Sequence, residues 1–396
     1  MKIGFFVDTY YPQYNGVVVS VEQLVEQLRK KGHQVYIFAP LIKGYKDIDK
    51  FIYRIPSFKA LNGEPDIFMP KYLSAENLNT IKDLKFDIIH AHGNGAFSGL
   101  GLATARLKRI PYILTFHTMH KEYTHFIMNG KLIKPKMAEL FLKTFGNICD
   151  ATTTPSEKMK KELLDYGVKR PIKVIPNFID FSEFNVKNEA ILRKRFKIDK
   201  NRPIVLSVGR LDKAKNFEFI VEAFSKLKDK KAVLVFAGRG PRQKELNALA
   251  VKYHIINRVY FAGAFTYEEM PYVYKDANIF VFASKTETQG VVVLEAAASG
   301  LPLVVTNDAA YKGMAENGVN AFVVPFDTGI FAQKLDELLT NKDLRASFAK
   351  KSIEVAKINF DPKKWTEELI TFYKETIENY KKRDTFFKRL SRTLSL

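Results

Sequence analysis

Short apolar runs along the chain alternate with stretches in which apolar residues recur every three or four positions. Residues 3–7, IGFFV, form one such run and predict a strand buried on both faces. Val21, Leu24, Val25 and Leu28 then share one helical face. Ser20 with Gln23 reads as a capping box at the start of that helix, and Gly32 as its stop. Residues 35–38, 88–90, 112–116 and 151–154 predict further strands, with helical patterns between most of them. A βαβα series of this kind predicts a parallel sheet covered on both faces.

The rhythm breaks at residues 175–203, a polar, irregular stretch that reads as a connection between domains. A second series follows. Strands are expected at 204–208, 233–237, 259–262, 279–283 and 303–305, and helices at 217–227, 242–253, 268–275 and through Glu295. Glu295 is placed about two turns into its helix. The expectation is an α/β chain of two doubly wound domains, 1–178 and 179–364, followed by 365–396. In that last segment, residues 365–380 are assigned to a helix crossing back to the first domain. Ligand is expected in a cleft between the domains, at the carboxyl ends of the strands.

Composition narrows the partners. The chain has 396 residues, with 63 Lys+Arg against 43 Asp+Glu and a net charge of +20. That excess points to an acidic partner: nucleic acid, an anionic membrane or a phosphorylated substrate. No nucleic-acid module is recognisable, so nucleic acid is set aside. One cysteine, Cys149, excludes an internal disulfide framework. The first apolar run is too short for a signal peptide and is interrupted by Asp8. No run reaches the roughly 18 apolar residues of a spanning helix, so membrane contact is expected to be peripheral.

Five strand-end loops carry the candidate chemistry. In DTYYPQYNGVVVSVEQL, Gly16 precedes a helix, where backbone N–H groups can approach an anion; a tight turn is the alternative. In LTFHTMHKEYTHF, His117 follows a strand, near His120, Tyr123 and His125; it reads as a sugar or anion contact, or as a structural histidine. In SVGRLDKAKN, Arg210 and Lys215 suit a diphosphate, or simply form a solvated basic loop. FAGRGP, with Gly238, is either a nucleotide contact or a turn. In SKTETQGVVVLEAAASG, Glu287 lies in a loop and Glu295 in an apolar run, with seven residues between them. Paired acids beside a basic loop suit a nucleotide-activated sugar, because carboxylates accept charge-assisted bonds from vicinal hydroxyls. The alternative is one exposed acid and one structurally paired acid. The cost of burying a charge argues against an idle Glu295.

Together these motifs resemble the retaining glycosyltransferases of family four, which have the two-Rossmann GT-B fold. The resemblance spans nearly the whole chain and rests on the Glu287–Glu295 spacing, GRLDKAKN and IPNFID. It implies that Glu295 holds the donor ribose and Glu287 the hydroxyls of the transferred sugar. Arg210 and Lys215 would bind the diphosphate, and Gly16 would border it. His117 would lie close to the sugar, with Gly238, Thr288, Gln289 and Gly290 also lining the donor. TETQG and FHTMHKEYTHF look like the bacterial diacylglycerol glucosyltransferases within that family. That likeness implies UDP-glucose as donor and the 3-hydroxyl of diacylglycerol as acceptor. A GDP-mannose or UDP-galactose enzyme acting on another lipid is the alternative.

No carboxylate pair with metal spacing is evident, so neither a metal nor another cofactor is expected. Fixed cations would instead stabilise the departing diphosphate. A lipid acceptor requires docking at the membrane, expected at its cytoplasmic face. In the tail, Phe386, Phe387, Leu390 and Leu394 share one helical face, while Lys388, Arg389 and Arg392 share the other. This is the pattern of a basic interfacial helix. Residues 129–145 form a second candidate, less cleanly two-faced.

Overall fold

The structure, a computed structural model, describes residues 1–13, 15–61, 67–71, 81–117 and 135–394; at 60, 61, 67, 135, 138 and 384–394 it describes the backbone alone. The chain divides into two compact units. One holds Met1–Asn177 with Pro362–Leu396, the other Phe178–Asp361.

The first unit runs β1 (Lys2–Val7), α1 (Gly16–Lys30), β2 (Gln34–Pro40), β3 (Ile52–Ile55), β4 (Ser57–Leu61), β5 (Ile67–Pro70) and β6 (Ile88–His92). It continues with α2 (Ala96–Lys108), β7 (Tyr112–Thr115), α3 (Pro135–Ile148), β8 (Ala151–Thr154), α4 (Glu157–Asp165) and β9 (Ile172–Val174). Seven strands form a parallel sheet in the order β3-β2-β1-β6-β7-β8-β9, and β4 and β5 form a separate antiparallel pair. Ile3, Phe5, Phe6 and Val7 are all buried. Burial on both faces is why β1 reads as an unbroken apolar run.

Strand order reverses between β1 and β6, and Asp8 closes that point. Its carboxylate accepts hydrogen bonds from Gly95 N at 2.8 Å, Phe97 N at 2.9 Å and Ser98 Oγ at 3.3 Å, so it caps α2 from a neighbouring strand. A Cβ on Gly95 would fall 2.5 Å from Asp8 Oδ1, which explains the glycine there. Burial pushes the Asp8 carboxyl above its usual range, opposed by the bonds from Gly95 and Phe97.

Three expectations need correction. Helix α1 begins at Gly16, one turn before the expected capping box. Its cap is Asn15, whose Oδ1 accepts from Val17 N and Val18 N at 3.0 and 3.2 Å. Ser20 sits inside the helix and donates to Asn177 Oδ1 at 2.5 Å. The run of three valines disguised the first turn, because β-branched residues favour strands. The second correction concerns residues 175–203. Ile179, Phe184, Leu192 and Ile198 are buried in the core of the second unit, so the stretch is anchored there rather than serving only as a linker. Its apolar residues follow no regular period, which is why it read as a linker. Third, Glu295 lies one turn into its helix, as shown below.

The second unit runs α5 (Ile191–Phe196), β10 (Ile204–Val208), α6 (Phe217–Ser225), β11 (Val233–Ala237), α7 (Gln243–Lys252), β12 (Val259–Gly263) and α8 (Met270–Asp276). Then come β13 (Ile279–Phe282), α9 (Val291–Ala298), β14 (Leu303–Thr306), β15 (Ala321–Val324), α10 (Thr328–Thr340) and α11 (Lys342–Asn359). Its six parallel strands follow the order β12-β11-β10-β13-β14-β15, reversing between β10 and β13.

The chain then returns to the first unit as α12 (Pro362–Leu394). Leu369 and Tyr373 are buried there, and Glu368 pairs with Lys173 at 2.5 Å. Further along, Arg383 pairs with Asp150, which also accepts from Arg106 and Tyr112 N. The side chains of Phe386, Phe387, Lys388, Arg389, Leu390, Arg392 and Leu394 lie outside the described residues, as do His120, Tyr123 and His125.

The cap on α2 generates a prediction. Asp8→Ala removes the acceptor of the Gly95 and Phe97 N–H groups and should cost about 1–2 kcal/mol, the usual loss for a helix cap, read as a lower urea midpoint with an unchanged slope. A midpoint equal to that of the parent chain would contradict the capping role.

Candidate active site

The site in the second unit is assembled from loops leaving β10, β11 and β13. After β10, Gly209 adopts a φ of +149°, and after β11 Gly238 adopts +144°. A Cβ on Gly238 would lie 1.9 Å from Gly209 O, so the two loops touch backbone to backbone. This contact accounts for the Gly238 position without a ligand. Asp212 then turns the chain, accepting from Lys215 N at 3.2 Å, with Arg210 Nε 3.6 Å from its carboxylate.

The loops after β10 and β13 are stitched together. Asn216, left-handed at φ +54°, donates from Nδ2 to Ala283 O at 3.1 Å. Ser284 Oγ donates to Ala214 O at 3.2 Å. Lys215 Nζ meets Glu287 Oε1 at 2.5 Å, and both groups are largely buried. Gly290 packs on Tyr311, where a Cβ would lie 2.9 Å from the ring, and Tyr311 donates to Ser284 O at 2.9 Å. Gln289 is buried and Thr288 half-buried in the same loop.

Helix α9 starts at Val291, which puts Glu295 one turn in rather than two. Its carboxylate is buried and accepts from Tyr274 Oη at 2.6 Å. Burial pushes its pKa up to about 7; the Tyr274 bond opposes the shift and the charge of Glu183 adds to it. Ala296, Ala297 and Ala298 are buried beside it. Tyr274 and Glu183 come from other segments and belong to no motif, so the sequence held no signal for them.

In the first unit, Gly16 is the first residue of α1. A Cβ there would meet nothing within 4 Å, so the protein itself does not require a glycine at this position. His117, just beyond β7, is hydrogen-bonded through Nε2 to His92 Nδ1 at 3.1 Å. Burial lowers the His117 pKa to about 4, keeping the ring neutral near pH 7. Arg210, Lys215 and Glu287 thus lie on the strand-end loops of one unit and Glu295 in the helix that follows, while in the other unit His117 lies on a strand-end loop and Gly16 opens the first helix.

Comparison with known proteins decides the family. The description "Glycosyltransferase Family 4" matches residues 14–183, and "Glycosyl transferases group 1" matches 188–355. An alpha-monoglucosyldiacylglycerol synthase of Streptococcus pneumoniae is 32% identical over 91% of this chain and 83% of its own length. The chain belongs to glycosyltransferase family 4. A second alpha-monoglucosyldiacylglycerol synthase, from Acholeplasma laidlawii, is 29% identical over 86% of each chain. Among solved structures, an Anabaena protein in complex with UDP superposes with a TM-score of 0.75 at 18% identity, over 95% of this chain and 100% of that one. The glycosyltransferase therefore has the GT-B architecture of two Rossmann-like units.

Glu295 makes stability depend on pH. Its folded pKa is raised from 4.5 to about 7, so its contribution is fully present below pH 4.5 and is lost as pH rises through 7. Across that window the glycosyltransferase should lose roughly 3 kcal/mol relative to Glu295→Gln, in urea melts of both proteins at each pH. Parallel curves for the two would show that Glu295 is not a buried, ionising carboxyl.

Proposed function

We propose that this glycosyltransferase moves glucose from UDP-glucose to the 3-hydroxyl of diacylglycerol, with retained anomeric configuration, at the cytoplasmic face of the membrane. The observation that carries the reading is the stitched pair of loops after β10 and β13. They bring a lysine to a carboxylate 2.5 Å away, and the helix that follows the second loop carries another, buried carboxylate, Glu295. Glu295 is a costly acceptor awaiting donors, and ribose hydroxyls supply them. Glu287 binds hydroxyls of the glucose, and Lys215 and Arg210 bind the diphosphate, with Gly238, Thr288, Gln289 and Gly290 lining the same ligand. In the first unit, Gly16 borders phosphate and His117 contacts the sugar. The acceptor and donor are supported by the names of the two related synthases, and by the same Anabaena protein having been solved with UDP-glucose.

In the reaction the bond from the sugar's anomeric carbon to the diphosphate breaks. A bond to the acceptor oxygen forms on the same face, and the acceptor proton leaves with the diphosphate. Negative charge grows on the leaving group, where Arg210 and Lys215 are already fixed, so they take the part a metal plays elsewhere.

Among the described residues no helix is long and apolar enough to cross a bilayer, and two segments are proposed to dock on its surface. On α3, Met137, Leu140, Phe141 and Ile148 are exposed on one helical face, flanked by exposed Lys136 and Lys143. That is an interfacial pattern, to which each basic residue near anionic lipid adds about 1 kcal/mol. The tail from Phe386 to Arg392 is the second proposed anchor.

The test supplies UDP- and GDP-sugars, diacylglycerol and anionic liposomes. Glucolipid should form from UDP-glucose, and Lys215→Ala should lower kcat by about 100-fold or more. Replacing Met137, Leu140 and Phe141 with Gln should reduce sedimentation with the liposomes. Absence of glycolipid from every donor would overturn the reading.

A further inference from the structure

Three histidines lie together in the first unit, and one of them is unlike the others. His90 has both ring nitrogens engaged: Nδ1 with Tyr373 Oη of α12 at 2.5 Å, and Nε2 with Thr115 Oγ1 at 2.6 Å. His92, the last residue of β6, is only 2% exposed. Its ring centroid lies 4.6 Å from that of Phe5, 4.2 Å from that of His90 and 5.4 Å from that of His117. Its Nδ1 is hydrogen-bonded to His117 Nε2 at 3.1 Å, while its Nε2 is buried without a partner among the described residues.

We propose that His92 is a positioning residue for glycosyl transfer: its Nδ1 holds Nε2 of His117, which fixes the nitrogen that His117 presents to the sugar and couples its tautomer to that of His92. The proposal rests on the reading that His117 contacts the transferred sugar. A stranded polar nitrogen is destabilising, and a phenylalanine like the neighbouring Phe5 would fill the same space without it. What a histidine adds at this position is the bond to His117.

The chemistry of two neutral rings makes that bond specific. A neutral imidazole has one donor nitrogen and one acceptor nitrogen. One proton sits between the rings, so their tautomers are coupled. If His92 donates, His117 carries its proton on Nδ1; if His117 donates, its Nδ1 is an acceptor. In both cases Nε2 is committed to His92, contact with a ligand passes through Nδ1, and flipping the ring breaks the bond. Burial lowers both pKa values, which keeps the pair in its neutral form. The strand pairing sets the spacing, since His92 is in register with Thr115, two residues before His117.

The test uses the full chain, with nitrogen NMR of the imidazoles and UDP-glucose turnover. In the parent chain His117 should show one tautomer. His92→Phe keeps the ring stack and loses the bond; it should mix the His117 tautomers and lower kcat roughly 10- to 100-fold, with the donor KM nearly unchanged. His92→Asn places an amide near the Nδ1 position and should recover most of the rate and the single tautomer. His92→Gln, which places its amide near the Nε2 position, should behave like Phe and covers the case in which Phe does not fold. Unchanged His117 nitrogen shifts and unchanged kcat in both His92→Phe and His92→Gln would overturn the proposal. Full turnover in His117→Ala would overturn the sugar contact, and the proposal with it, even if the NMR pairing stands.

Discussion

The strand order of each sheet reverses at one point, and at that point two neighbouring loops leave the same edge in opposite directions. A doubly wound sheet opens a crevice there. Left unsupported, it would expose backbone groups and the ends of two strands. In the first unit the Asp8 carboxylate spans the gap from β1 to the start of α2. In the second, Asn216, Ser284 and the Lys215–Glu287 pair span it from the β10 loop to the β13 loop. The two solutions differ in kind. Asp8 is half-buried and committed to donors at the start of α2, so its crevice is closed structurally. The second crevice is held by groups that themselves suit a sugar diphosphate.

That difference explains where charge is kept in reserve. Glu295 is a carboxylate destabilised by burial and steadied by one bond from Tyr274. Lys215 and Glu287 satisfy each other at 2.5 Å until a ligand supplies better partners. A diphosphate with a sugar on one side and a ribose on the other offers anionic oxygens to the lysine and hydroxyls to both carboxylates. On the proposed reading such a ligand would relieve costs the folded unit already carries, a physical basis for pre-organised binding.

Much of this was legible in the sequence because it depends on residues close together along the chain. The alternation of apolar runs and helical faces predicted both parallel sheets, and the spacing of Glu287 and Glu295 marked the loop and helix after β13. What the sequence concealed depends on contacts between distant elements. Tyr274 reaches Glu295 from α8, and Asp8 reaches α2 from β1; neither has a local signature. Asn15 was missed as a cap because the valines after it resemble a strand. Residues 175–203 read as a linker because their buried side chains follow no period, although Ile179, Phe184 and Leu192 anchor them in the core. Gly238, proposed to line the ligand, is also required to be a glycine by the approach of Gly209 O.

The central claim is that the crevice between β10 and β13 is the nucleotide-sugar site. The most direct measurement is an experimental structure of the protein with UDP-glucose bound. The account predicts ribose hydroxyls on Glu295, the diphosphate on Arg210 and Lys215, and the glucose on Glu287. A nucleotide found elsewhere, with the Lys215–Glu287 pair undisturbed and Glu295 bonded to Tyr274 alone, would contradict it.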